Sequence, residues 1–239
     1  MKIAADGLSK RYRGRKVVDG VSISIETGRV IGLLGPNGAG KTTTFYMITG
    51  LVKPQTGRVL LDDTDVTKWP MYRRARAGVG YLPQEASVFR RLTVEDNLRL
   101  VLELHGVRGK EQKQQIEELL GELHMLDRRK SIGATLSGGE RRRVEIARAL
   151  ATHPKFILLD EPFTGIDPRT IEELQEIIHT LRDRGIGILI TDHNVGATLN
   201  ITDWNYILVA GKIVAEGDRD AIVSDPDVRK FYLGERFDD

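Results

Sequence analysis

Apolar and polar residues alternate through the first 30 positions of the chain. Val17, Val18, Val21, Ile23 and Ile25 fall among Asp, Ser and Glu, the pattern of short, half-buried antiparallel strands. The pattern then changes. Arg29-Val30-Ile31-Gly32-Leu33-Leu34 is a nearly continuous apolar run ending at Gly35, which fits a strand buried on both faces of a parallel sheet. A helix is expected from Gly40 to about Leu51, where Lys53-Pro54 stops it. Gly78 to Leu82 reads as another strand.

From Leu92 to about Ala151 the period becomes helical. Val94, Leu98, Val101, Leu102 and His105 share one face, with Thr93 as the cap. Ile116, Leu119, Leu120 and Leu123 make a second stripe. Both stripes read as core packing. Strands and helices then alternate again. Phe156 to Leu159 and Ile186 to Ile190 are buried strands, and Ile171, Leu174, Ile177, Ile178 and Leu181 line a helix between them. Tyr206 to Val209 and Lys212 to Ala215 flank Ala210-Gly211 as a hairpin. Such alternation predicts an α/β core, with an antiparallel β part at the N-terminus and an inserted helical block. We expect a single domain over residues 1–239. Residues 1–84 and 152–239 form the core, its β part and a C-terminal tail, and 85–151 form the helical subdomain. No repeat, low-complexity tract or linker breaks the pattern.

Composition narrows the classes. The 239 residues include no cysteine, so neither a disulfide nor a thiolate metal site is possible. The 36 basic and 34 acidic residues leave a net charge of +2, which argues against an electrostatic nucleic-acid binder. No uncharged apolar run reaches the roughly 18 residues a membrane span needs. Val30 to Val52 comes nearest, and Asn37 and Lys41 interrupt it. Met1 to Ala5 is too short and too quickly charged for a signal peptide. If the protein meets a membrane, partners bring it there.

Glycine is in excess, with 25 residues, and two clusters account for its interest. Gly35-Pro36-Asn37-Gly38-Ala39-Gly40-Lys41-Thr42, with Thr43 next, matches GxxxxGK[ST] between a buried strand and a helix. Glycines let backbone N–H groups curl around a phosphate, and the helix start adds its positive dipole end. Lys41 supplies charge to the β- and γ-phosphates, and the Thr42 hydroxyl is suited to Mg²⁺. The chain is therefore expected to bind a nucleoside triphosphate with Mg²⁺. The strand Phe156 to Leu159 ends in Asp160-Glu161. Ligands of parallel α/β sheets sit at such strand ends. Asp160 can approach the metal there, and Glu161 can polarise an attacking water.

The second cluster is Ser137-Gly138-Gly139-Glu140, a capping box at the start of a helix. Its two glycines exceed what a cap needs and leave N–H groups open to an anion. One triphosphate already has a cradle on the same chain. A second cradle is best used on the nucleotide of another copy, in a head-to-tail dimer holding two ATP molecules.

Leu136-Ser137-Gly138-Gly139-Glu140, the phosphate loop and the acidic strand end together resemble the nucleotide-binding domain of ATP-binding cassette (ABC) proteins, P-loop NTPases, over essentially the whole chain. The resemblance implies that Gln84 contacts Mg²⁺ and senses the transporter and that Asp167 lies in a dimer-interface loop. It further implies that His193 is a switch near the γ-phosphate and that Tyr12 stacks on adenine. Within the family, Gly80 to Val94, Leu136 to Leu150, Leu189 to Val195 and the tail Phe231 to Phe237 resemble the ATPase subunits of bacterial lipopolysaccharide exporters. That likeness implies two integral membrane partners, each seating a coupling helix in a groove lined by Phe89 and Arg90. It also implies a peripheral place on the cytoplasmic face of the inner membrane and no direct contact with lipid. The alternatives are a branched-chain amino-acid importer ATPase, a soluble cassette acting on DNA or the ribosome, and a switch without hydrolysis, for which Glu161 would be superfluous. The runs Arg73-Arg74-Arg76, Arg141 to Arg143 and Arg128-Arg129-Lys130 are expected to be solvated faces.

Overall fold

The computed structural model describes residues 1–234, apart from the side chain of Phe231. The expected tail, Phe231 to Phe237, thus lies partly outside the described residues. In chain order the elements are β1 (Lys2–Tyr12), β2 (Arg15–Glu26), β3 (Val30–Leu34), α1 (Lys41–Thr49), β4 (Thr56–Leu61), β5 (Thr64–Asp65), α2 (Met71–Arg76), β6 (Val79–Leu82), α3 (Val94–Leu104), α4 (Gly109–Glu122), α5 (Gly138–Leu150), β7 (Phe156–Asp160), α6 (Pro168–Asp183), β8 (Gly187–Thr191), α7 (Val195–Leu199), β9 (Trp204–Val209), β10 (Lys212–Gly217) and α8 (Arg219–Ser224).

Two sheets form. One is antiparallel, in the order β2-β1-β4-β5. The other runs β10-β9-β3-β8-β7-β6, parallel except for the β9–β10 hairpin. Ala210 and Gly211 both have positive φ, 47° and 84°, the geometry of a tight two-residue hairpin. The first two strands are longer than the alternation suggests, 11 and 12 residues. Register shifts near Leu8 and Lys10 let them bend without ending.

Each parallel strand feeds two cores, because successive side chains point to opposite faces. Ile157 and Leu159 of β7 and Ile188 and Ile190 of β8 pack with the helices α3 to α6. Phe156, Leu158 and Leu189 pack on the other face with α1 and the antiparallel sheet. Double burial explains why these strands read as unbroken apolar runs. The helical stripes also hold. Val94, Leu98, Leu102, Ile116, Leu120 and Leu123 are buried, while His105 is exposed as the C-cap of α3. Thr93 caps α3, accepting from Asp96 N at 3.0 Å.

Two of the charge runs are not solvated faces. Arg74 is 2 % exposed and donates to the carbonyls of Met47, Ile48, Trp69 and Thr67. It closes the C-terminal end of α1 from outside that helix. Arg142 is buried as well, and Arg143 pairs with Glu173. Arg129 and Lys130 lie at the surface but converge on the buried carboxylate of Glu95.

Candidate functional site

The phosphate loop runs from the end of β3 into α1, and its glycines are required by sterics. A Cβ at Gly35 would lie 2.0 Å from the carbonyl of Leu208, and one at Gly40 would lie 2.6 Å from that of Val17. Both have positive φ, 146° and 110°. Close packing against β9 and β2 thus dictates the tight turn. Gly38 turns on the open side, where a Cβ would meet nothing. Lys41 is folded back, with Nζ donating to the carbonyls of Gly35 at 2.6 Å and Pro36 at 3.2 Å. Burial pulls its pKa down, against the pull of Glu161, Asp160 and Asp192. Its charge has weak neutral partners and is free to exchange them for a phosphate.

Glu161 faces this loop from the end of β7. It has φ of 49°, a left-handed conformation that a non-glycine residue adopts at a cost, often at functional sites. Its carboxylate is held from both sides. Gln84 donates from Nε2 to Oε2 at 2.6 Å, and His193 Nε2 lies 2.7 Å from Oε1. Thr164 adds a longer hydroxyl bond at 3.3 Å. Gln84 follows β6, Glu161 follows β7 and His193 follows β8, so three neighbouring parallel strands deliver the cluster from one edge of the sheet. Asp160 lies just inside, its Oδ2 accepting from Tyr81 at 3.4 Å. Burial first, and the charge of Glu161 second, raise its pKa.

Glu161 borders two cavities. One, of about 170 Å³, is lined by the phosphate loop, Lys41, Thr42, Thr43 and His193. The other, of about 290 Å³, is lined by Gln84, Gly138, Arg142 and Gly165 among others. Ser137 and Glu140 form the expected capping box, with bonds of 3.2 and 2.8 Å. The Ser137 N–H and Arg128 engage the Glu140 carboxylate and hold its pKa low. The first-turn N–H groups of Gly138 and Gly139 have no partner within the helix. Asp167 caps α6 through the backbone and hydroxyl of Thr170, and Thr170 packs against Gly139.

Not every expected residue joins the cluster. Tyr12 stands at the outer end of β1, 46 % exposed, with Lys10 over one ring face at 5.6 Å. Val17, rather than Tyr12, lines the phosphate-loop cavity. Phe89 and Arg90 are exposed, and neither lines the two cavities that Glu161 borders.

Sequence reasoning passed over Asp192. It is buried, and its two oxygens accept from Phe163 N at 2.7 Å and Asn194 N at 2.9 Å. It ties the loop after β7 to the loop after β8 and so fixes His193 opposite Glu161. Burial raises its pKa despite those donors. Its place directly before His193 was the available signal.

The residues fit a triphosphate with a hard cation. The loop offers backbone donors and a buried ammonium, while Thr42, Asp160 and Gln84 offer the oxygen donors Mg²⁺ prefers. Among the described residues no group of three or more His, Asp or Glu side chains is placed to hold a metal.

Known proteins resemble this chain in sequence and in fold. The family model described as ABC transporter matches residues 18–164. A probable ABC transporter ATP-binding protein of Azorhizobium caulinodans is 58 % identical over 98 % of this chain and 84 % of its own length. The lipopolysaccharide export system ATP-binding protein LptB of Escherichia coli K12 is 52 % identical, and that of Haemophilus influenzae 51 %, each over 98 % of both chains. Among solved structures, an ATP-binding cassette of an ABC transporter in its ADP conformation superposes with a TM-score of 0.87. It is 31 % identical and covers 98 % of this chain and 100 % of its own. A dimeric cassette in a post-hydrolysis state with ADP and Pi gives 0.81 at 25 % identity, covering 91 % and 98 %.

Proposed function

The chain belongs to the ABC transporter family of ATP-hydrolysing cassettes, and from that premise we propose that it is the motor subunit of a lipopolysaccharide exporter. One observation carries the reading. Identity of 51–56 % to LptB proteins runs over 98 % of this chain and 98 % of theirs. The importer alternative is not favoured by these relatives.

The roles follow from the chemistry of the side chains. Lys41 gives up the carbonyls of Gly35 and Pro36 and takes the β- and γ-phosphates, while the loop N–H groups close around them. Mg²⁺, when bound, neutralises phosphate charge, with Thr42, Asp160 and Gln84 as its protein ligands. Glu161 is the general base. Gln84 and Thr164 donate to its Oε2 and His193 faces its Oε1, which leaves a lone pair on Oε1 to take a proton from water. Gln84 leaves Oε2 when it turns towards the nucleotide. His193 stays and holds the carboxylate in place. Tyr12 stacks on adenine.

Cassettes of this family form dimers. Two copies of this chain close head to tail, and Ser137, Gly138, Gly139, Glu140 and Asp167 of each face the nucleotide bound by the other. Hydrolysis removes the bridging γ-phosphate and reopens the pair. No helix among the described residues is long and apolar enough to cross a membrane. The chain works on the cytoplasmic face of the inner membrane, held by two integral membrane subunits whose coupling helices sit against Phe89 and Arg90, and lipid never touches it.

Affinity purification from detergent-solubilised membranes, with the associated proteins identified, tests this. Recovery of paired integral membrane subunits carrying periplasmic domains is expected. Recovery of a solute-binding protein would establish the importer instead.

A further inference from the structure

Backbone groups from two separate segments, the loop after β6 and the end of β7, converge on one turn of α5. Arg142 and Glu145 lie there three residues apart, their side chains 6 % and 3 % exposed and their charges paired at 3.0 Å. Arg142 donates to the carbonyl of Asp160 at 3.0 Å and to that of Pro83 at 2.8 Å. Glu145 accepts from Ser87 N at 2.5 Å and from its hydroxyl at 3.3 Å. Asp160 immediately precedes Glu161, Pro83 precedes Gln84, and Ser87 lies two residues before Phe89.

The surface end of this assembly is held equally well. Arg148, one turn further along α5, donates to the Ser87 carbonyl at 2.5 Å and lays its guanidinium over the Phe89 ring, 4.5 Å from the centroid. Buried Asn97 accepts from Phe89 N at 2.9 Å and donates to its carbonyl at 3.2 Å. The exposed ring of Phe89, 43 % accessible, therefore projects from a fixed backbone.

A buried ion pair is a costly way to fill this space. Desolvation takes several kcal/mol per charge, and apolar residues of similar volume often give equal or greater stability. Apolar side chains cannot, however, bind two carbonyls and an N–H from two segments at set angles. A charged, forked donor paired with a two-oxygen acceptor can.

We propose that Glu145 is a positioning residue which, with Arg142, couples the Ser87–Phe89 loop to the nucleotide end of β7. Displacement of Asp160 or Gln84 on nucleotide binding moves Arg142, Arg142 moves Glu145, and Glu145 carries Ser87 with it. The coupling is reciprocal, so a load on Phe89 is felt beside Glu161. Its purpose rests on the reading of Phe89 as a partner contact, whereas the linkage is a property of the isolated chain.

Hydrogen exchange of the isolated full-length protein, followed by mass spectrometry with and without the ATP analogue AMP-PNP, tests it. In the wild type the analogue changes exchange at Val88, Phe89 and Arg90 severalfold. Glu145→Gln loses that change. Ser87→Pro removes both the N–H and the hydroxyl that Glu145 holds, leaves Arg142 on Asp160 and Pro83, binds the analogue as the wild type does, and also loses the change. Ser87→Ala keeps both the N–H and the response. Should Glu145→Gln fail to fold or to bind the analogue, Ser87→Pro decides alone. No response in the wild type, or an undiminished one in Ser87→Pro, overturns the proposal. Partner capture by Phe89→Ala is a separate measurement. Undiminished capture there, beside a lost response in Ser87→Pro, would refute the groove reading and leave the linkage standing.

Discussion

At the scale of single residues, the constraints on Glu161 bear directly on its chemistry. It combines a left-handed backbone, burial and two close donors. Glu161→Gln keeps the shape and removes the proton acceptor. ATP turnover should fall by about 10²–10⁴, the usual worth of a general base, while ATP affinity stays within a few-fold. Steady-state ATPase assays with equilibrium nucleotide binding measure both, and an unchanged rate would remove Glu161 from the role. His193 touches the carboxylate rather than the phosphate loop. His193→Ala should therefore lower kcat far more than it raises KM for ATP. A rise in KM without a fall in kcat would make His193 a binding group.

At the scale of elements, stability rests on charged residues that the pattern hides. Arg74 satisfies four carbonyls at the junction of α1 and α2, and burial brings its pKa down to about 10. Arg74→Ala leaves those carbonyls unsatisfied, at about 1–3 kcal/mol for each one that water cannot reach. A melting temperature lower by roughly 10 °C is expected for a chain of this size, read by differential scanning calorimetry. Glu95 serves the helical block in the same way. It is pulled from 4.5 to about 2, chiefly by Arg129 and then by Lys130. Its contribution is full above the unfolded value and disappears as pH falls through the folded one. Allowing for the solvent screening of Lys130, about 1–2 kcal/mol should be lost between pH 4.5 and 2. Urea midpoints for Glu95→Gln should be lower at pH 7 and flatter through that window than those of the wild type.

These elements also mark where the sequence was legible. The strands β3, β7 and β8 and the helices α1, α3, α5 and α6 declare themselves, because their signals are local: an apolar run, a stripe, a cap, a glycine loop. The phosphate loop, Asp160, Glu161 and the capping box were equally readable, since each is a short motif beside a strand or helix. Arg74 and Arg142 were not. Each sits in a run of arginines, and its neighbours do face solvent or surface partners, as Arg73 over Trp69 and Arg76 over Tyr72 do. Only the fold brings distant carbonyls to the buried member of each run. Asp192 escaped notice because its partners are backbone N–H groups, which leave no mark on composition.

At the scale of the whole molecule, the proposed head-to-tail dimer would give each chain half of two sites. Glu161 borders both the phosphate-loop cavity and the cavity at the Gly138 end of α5, and on the proposed reading the second receives the nucleotide bound by the other copy. Gly138 allows a clean test. A Cβ there would meet Gly165 O at 3.6 Å and Ile166 Cγ1 at 4.0 Å, ordinary contacts, whereas one at Gly139 would strike Thr170 Cγ2 at 2.1 Å. Gly138→Glu should therefore fold and bind ATP through its own phosphate loop, yet set a carboxylate against the partner's γ-phosphate. In a Glu161→Gln background, analytical ultracentrifugation with ATP should show a dimer, and the added Gly138→Glu should return it to monomer at unchanged ATP affinity. Lys41→Ala in the same background should lose nucleotide and dimer together. A dimer that survives Gly138→Glu would mean that α5 does not cap the second nucleotide, and the head-to-tail arrangement would have to be given up.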